Sequence, residues 1–136
     1  MAIPDERLYE YAVVRYVPRV DREEFVNIGL LMMCKRRRWL KGEVWLDEGR
    51  LRAFDPGINI DTLRTQASLF MRDDVPSRGL PVEERFRWLT AVKSAVLQVS
   101  PSHPGLLVSA PASAAPVSSD DLDSEFKRLF RSLVSC

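Results

Sequence analysis

Four polar side chains near the start of the chain have the types and spacing to do chemistry: Arg15, Arg22, Glu24 and Asn27. They sit in Arg15-Tyr16-Val17-Pro18 and, three residues on, Arg22-Glu23-Glu24-Phe25-Val26-Asn27-Ile28-Gly29. A solvated loop does not need an Arg, a Glu and an Asn packed so tightly between two apolar segments. Two guanidinium groups near a strand end can clamp a phosphate or carboxylate bidentately, with Asn27 orienting the ligand. The same residues can instead make a buried Arg–Glu pair, with Asn27 satisfying loop backbone groups. Either way, the spacing predicts a charge-assisted hydrogen bond from Arg22 or Arg15 to Glu24. Gly29, in mid-strand, predicts close approach of another backbone or an aromatic ring.

Other groups are weaker candidates. Lys35-Arg36-Arg37-Arg38 followed by Trp39 can contact phosphates and stack a base. It reads equally as a solvated hairpin turn with Trp39 packed on its neighbours, and no known nucleic-acid motif accompanies it. His103 can be pictured as a general base for Ser100, Ser102 or Cys34, but Pro104-Gly105 directly after it ordinarily marks a turn. No nucleophile elbow, phosphate-binding glycine loop or metal-ligand cluster is present. Asp47-Glu48, Asp73-Asp74 and Asp120-Asp121 are adjacent pairs whose side chains point apart on helices and strands, so turns and helix starts account for them.

The elements that must hold these groups can be read from periodicity. Tyr9 to Val17 alternates, with Tyr9, Tyr11, Val13, Arg15 and Val17 on one face and Glu10, Ala12, Val14 and Tyr16 on the other, which predicts a strand ended by Pro18. Phe25 to Cys34 is almost wholly apolar and reads as a central strand covered on both faces. Trp39 to Leu46 follows as a third strand, with Leu40, Gly42, Val44 and Leu46 facing the core. Asp61 is placed to cap a helix to about Arg72, with Leu63, Ala67, Phe70 and Met71 on one face. Pro81 suits the first turn of a second helix carrying Val82, Phe86 and Leu89. Ser94 to Val99 reads as a fourth strand, with continuation of the helix as the competing reading.

Residues 100–119 form a long Pro/Ser/Ala-rich loop with a short extended piece at Leu106-Leu107-Val108. At about 20 residues it exceeds the usual connection length. Ser119 then caps an amphipathic helix over 119–134, with Leu122, Phe126, Leu129, Phe130 and Leu133 as its apolar stripe and basic residues toward its C-terminal end.

Composition bounds the class. The chain has 136 residues, 46% hydrophobic and 29% charged, with a net charge of +1. That is about one domain by length and ordinary for a globular protein. Near-neutral charge gives no global pull toward nucleic acid or an anionic membrane. Two cysteines without a framework, Cys34 and Cys136, argue for a reducing compartment, and a single histidine makes a zinc site poorly supplied. No apolar run approaches the ~18 residues of a membrane span. The charged N-terminus lacks an apolar signal core, so the cytosol is the expected location. Arginine outnumbers lysine, and Ala, Val and Pro are plentiful, a bias that fits a GC-rich bacterial genome.

The hairpin from Tyr11 to Cys34, with its Arg-Tyr-Val-Pro step and Arg22-x-Glu24-Phe25-Val26-Asn27-Ile28-Gly29, resembles a bacterial family known as domain of unknown function 3037. Arg85-Phe86-Arg87-Trp88-Leu89-Thr90-Ala91, Ser94, Gln98, Ser100-Pro101, His103-Pro104-Gly105-Leu106 and the closing Leu122 to Val134 segment resemble the family's later signature. The chain departs from that pattern at Val108 to Ser118, where an Ala/Pro/Ser stretch is added. The resemblance implies no catalytic or binding residues. It does imply a protein partner, a HipA-like kinase among the candidates.

Together these readings predict one α+β domain over residues 1–136, a mainly antiparallel sheet of three or four strands with helices packed on one face. The expected function is that of a non-enzymatic cytosolic accessory or protein-interaction module, with no cofactor, no membrane and no specific nucleic-acid partner. The alternative is an anion- or nucleic-acid-binding protein, or an enzyme on a phosphorylated substrate, using Arg15 and Arg22 as clamps.

Overall fold

The computed structural model describes residues 7–70, 79–91, 96–107 and 118–135. Strands β1 (Leu8–Arg19) and β2 (Glu24–Cys34) form a central antiparallel hairpin, joined by a 3-10 turn at Val20–Arg22. Strand β3 (Trp39–Val44) pairs with the outer side of β2. Strands β4 (Leu97–Val99) and β5 (His103–Leu106) lie in succession along the other side of β1, opposite Val14–Tyr16 and Leu8–Tyr11 respectively. All pairings are antiparallel. The strand order is β3-β2-β1-β4, with β5 also on β1.

Period-two alternation sorts the strand residues into two cores. Ala12, Val14 and Tyr16 of β1 and Leu31 and Met33 of β2 face helices α1 (Glu48–Phe54), α2 (Ile60–Phe70) and α3 (Val82–Thr90), which contribute Leu51, Leu63, Phe86 and Leu89. Tyr9 and Val13 of β1 and Leu30, Met32 and Cys34 of β2 face α4 (Ser119–Leu133), which contributes Leu122, Phe126 and Leu129. The α+β class and antiparallel sheet are as expected, but the helices occupy both faces rather than one. The reason lies in β2: a strand apolar on both faces must be covered on both, and α4 carries the stripe that covers the second.

Several boundaries differ from expectation for local reasons. β1 continues through Pro18 to Arg19, because Pro18 falls in a register shift between Tyr16 and Arg19 where no regular ladder bond is required of it. Helix α1 was not anticipated. It is one short element with a single buried residue, Leu51, started by Asp47, whose Oδ1 accepts the Arg50 N–H at 3.2 Å. Asn59, not Asp61, caps α2, its Oδ1 accepting the Thr62 N–H at 3.0 Å, while Asp61 pairs with Arg64. Pro81 stands at the N-cap of α3 rather than inside its first turn. α4 is capped by Ser118 in place of Ser119: Ser118 Oγ accepts the Asp121 N–H and Asp121 Oδ2 accepts the Ser118 N–H, a capping box. Met71, Asp73, Asp74, Ser94 and the added stretch at 108–117 lie outside the described residues.

Part of the segment read as loop is strand β5. Its Gly105 is indispensable where it pairs with Tyr9, since a Cβ there would overlap the Tyr9 ring. Gly29 meets the close approach expected of it: a Cβ would lie 2.8 Å from the Glu43 carbonyl oxygen and 3.0 Å from Val44 Cγ2. Among the described residues no helix is long and apolar enough to cross a membrane.

Candidate functional site

The structure divides the cluster of Arg15, Arg22, Glu24 and Asn27 among separate partners. Arg15 and Asn27 are opposed across β1 and β2, next to a register shift between Val14 and Arg15. The Arg15 guanidinium lies over the Phe25 ring, 4.0 Å from its centroid. Asn27 Nδ2 donates to the Leu133 carbonyl at 3.0 Å, satisfying one of the acceptors left open by the last turn of α4. Arg22 Nε donates to Glu24 Oε1 at 3.2 Å, and the ion pair closes to 3.0 Å. The predicted charge-assisted bond to Glu24 is therefore made by Arg22, but the two side chains are 55% and 50% exposed. Exposed pairs contribute about 0–1 kcal/mol. Glu24→Ala should accordingly leave the thermal midpoint nearly unchanged; a loss of several kcal/mol in a denaturation series would contradict this placement.

The weaker candidates resolve into structural positions. Lys35 to Arg38 form an exposed turn closed by the Arg38 N–H to Lys35 carbonyl bond at 3.1 Å. Trp39, next in sequence to Arg38, is half-buried and meets Phe126 edge-on at 6.5 Å and 70°. It serves the second core rather than offering a face to a base. His103 is exposed on β5, opposite Tyr11, with ring centroids 5.4 Å apart. Ser100 is buried; its Oγ accepts the Val13 N–H at 2.9 Å and donates to the Pro101 carbonyl at 2.9 Å. Its proton is thus committed to backbone. Cys34 is buried beneath α4. Asp47 and Asp121 cap helices. Among the described residues, no group of three His, Cys, Asp or Glu side chains is arranged to hold a metal.

The most heavily engaged polar group is one that sequence reasoning missed. Glu125, on α4, has no exposed surface. Tyr9 O–H donates to its Oε2 at 2.7 Å, and Arg128 grips both oxygens, Nε to Oε1 at 2.9 Å and a terminal nitrogen to Oε2 at 2.7 Å. A signal was available: Glu125 falls between Leu122, Phe126 and Leu129 at helical spacing, so it lies on the apolar stripe itself, with a cation three residues on.

The electrostatics of this site oppose acid–base work near neutral pH. Burial acts to raise the Glu125 carboxyl, but the hydrogen bonds from Arg128 and Tyr9 and the Arg128 charge outweigh it and hold it below the usual range. Burial, then the hydrogen bond to Glu125 and its charge, push the Tyr9 phenol well above its ordinary value. Tyr16 is likewise pushed up to about 12 by burial and by its bond to Asp55 at 2.7 Å. General acids and bases are tuned toward the working pH; these groups are tuned away from it.

The family model described as "Protein of unknown function (DUF3037)" matches residues 11–134, from the middle of β1 to the end of α4. The chain belongs to the DUF3037 family. Every helix and strand described here except the first residues of β1 lies inside the DUF3037 match, including Glu125 and Arg128. No curated protein and no solved structure matches the chain.

Proposed function

We propose that this DUF3037 protein is a non-enzymatic, cytosolic protein-interaction module that works through the open edge of its sheet. The observation that carries this reading is the outer side of β3. The Trp45 N–H bonds the Ile28 carbonyl at 2.7 Å, so Trp45 directs its backbone groups at β2. Antiparallel ladders alternate. Lys41 and Glu43 therefore face β2 as well, and Leu40, Gly42 and Val44 turn their N–H and C=O groups outward. Among the described residues no strand pairs with that side. A cleft of about 330 Å³, lined by Gly42, Val44, Leu46, Arg64 and Ala67, runs between this edge and α2. Such edges accept an added strand, with backbone bonds giving affinity and side-chain pockets giving specificity.

The polar chemistry supports the same reading. Ser100 Oγ, Asn27 Nδ2 and both Glu125 carboxylate oxygens make their hydrogen bonds inside the fold. The rival anion clamp draws on two buried polar atoms without a hydrogen-bond partner, Arg15 Nε and Asn27 Oδ1; Arg22, the other arm, is engaged in its exposed ion pair with Glu24.

The family resemblance supplies a HipA-like kinase as the candidate partner. The test is calorimetric titration of a HipA-like kinase from the same genome into the wild type and into Gly42→Pro, which removes an outward N–H without touching the β2 ladder. Saturable binding that the variant loses, with its circular dichroism unchanged, is expected. Binding unchanged in the variant would remove the edge from the proposal, and no binding would remove the kinase.

A further inference from the structure

We infer that the open edge of β3 pairs with β3 of a second copy of this chain, forming a two-fold symmetric dimer centred on Gly42. The inference rests on the reading of the edge given above and adds a second copy of the chain as its occupant in the absence of the kinase, which would have to displace it.

The sequence about Gly42 is self-complementary when run antiparallel to itself. With Gly42 opposite Gly42, Lys41 falls opposite the second copy's Glu43, and Glu43 opposite its Lys41. Leu40 falls opposite Val44, and Trp39 opposite Trp45. Gly42, Leu40 and Val44 are the residues whose backbone groups point outward, so they fall at the hydrogen-bonded pairs. Lys41 and Glu43 fall at the non-hydrogen-bonded pairs, where opposed side chains come closest. Charge therefore selects the register. Centring the axis one residue earlier sets Lys41 against Lys41; centring it one residue later sets Glu43 against Glu43. Only the Gly42 register makes two opposite-charge pairs, on the face that Lys41 and Glu43 share with Trp39 and Trp45, and sets Leu40 against Val44 on the other face.

The existing contacts leave room for this. The Glu43 side chain is exposed and has no partner among the described residues. Lys41 bonds Asp123 at 3.2 Å and lies 5.0 Å from the Phe126 centroid, but an ammonium has three donors and Lys41 remains a third exposed. Among the described residues no strand takes the outward groups of Gly42, and β2 is bonded through the alternate residues, Lys41, Glu43 and Trp45 among them.

Sedimentation equilibrium of the whole chain tests the inference, using the wild type, Glu43→Lys and the charge swap K41E/E43K. The wild type should dimerise reversibly. Glu43→Lys turns both ion pairs into Lys–Lys contacts and should weaken dimerisation by about tenfold or more, with a nearly unchanged thermal midpoint, because the Glu43 side chain is exposed and makes no hydrogen bond or ion pair among the described residues. K41E/E43K reverses both signs, restores opposite charges across the axis and should recover the dimer. A monomeric wild type, a Glu43→Lys variant that dimerises like the wild type, or a charge swap that keeps the wild-type circular dichroism despite losing the Lys41–Asp123 bond and still fails to recover the dimer would each overturn the inference. Hydrogen exchange at the Gly42 and Val44 amides separates this failure from failure of the module itself. Protection of these amides only on adding a HipA-like kinase would reject the dimer and keep the edge as a docking site. Free exchange in both states would reject both.

Discussion

Phe126→Ala should bring the protein close to unfolding. Phe126 is fully buried. It meets Trp39 edge-on, stacks on Phe130 with ring centroids 5.9 Å apart and lies under the Lys41 ammonium. Truncating a buried phenylalanine costs about 3–5 kcal/mol, against a net stability of about 5–15 kcal/mol for a domain. The cavity would open between α4 and the sheet, where Leu122 and Leu129 share the same contact surface. Chemical denaturation should show a midpoint far below that of the wild type. The stronger form of the experiment removes α4 altogether. A chain ended after Ser118 loses Leu122, Phe126 and Leu129 from the second core and should lose cooperative unfolding. If that chain stayed folded and monomeric, the docking of α4 would be dispensable and its stripe would belong to a partner.

The second large effect concerns Glu125. Glu125→Ala strands the Tyr9 hydroxyl in the core and takes both hydrogen bonds from Arg128. Removing one member of a buried pair costs about 3–5 kcal/mol; Arg128, 54% exposed, regains water, which places the expected loss near the lower figure. Tyr9→Phe with Glu125→Met removes both buried polar groups and should recover most of that loss, because an apolar replacement leaves nothing unsatisfied. Double-mutant-cycle denaturation measures the coupling, and simple additivity of the two single changes would refute it. The pH dependence has a definite sign. The folded carboxyl titrates below its ordinary value of 4.5. Its contribution is therefore complete above that value and is lost as pH falls through 4.5 toward the folded value. In Glu125→Ala the stability curve should be flatter over that acid range than in the wild type.

What could be read from the sequence followed one rule: elements that bury a periodic stripe announce themselves. Alternation in β1, the apolar run of β2 and the stripe of α4 are each visible within one window of residues. Helix α1 is not, since it buries only Leu51. Strand β5 is hidden because Pro104 and Gly105 are poor strand formers. Gly105 is there for the Tyr9 ring, a neighbour remote in sequence. The same distinction divides the candidate site. The pairing of Arg22 with Glu24 spans two residues and was legible. The partner of Asn27 is a carbonyl 106 residues away, and that of Glu125 a phenol 116 residues away. No local pattern encodes those. The placement of helices on one face failed for a related reason, since the residues that demand a second layer are in β2 and the helix that supplies it comes near the end.

That separation between the two halves of the second core shapes how the chain must be made. Tyr9 leaves the ribosome long before Glu125 and Phe126. The hairpin of β1 and β2 can form early, but the surface bearing Leu30, Met32 and Cys34 stays uncovered until α4 has been synthesised. Non-local closure of this kind slows folding, and transiently bared apolar surface invites aggregation. During translation the nascent protein is therefore a half-covered sheet, and it should lean on chaperones until its last helix emerges.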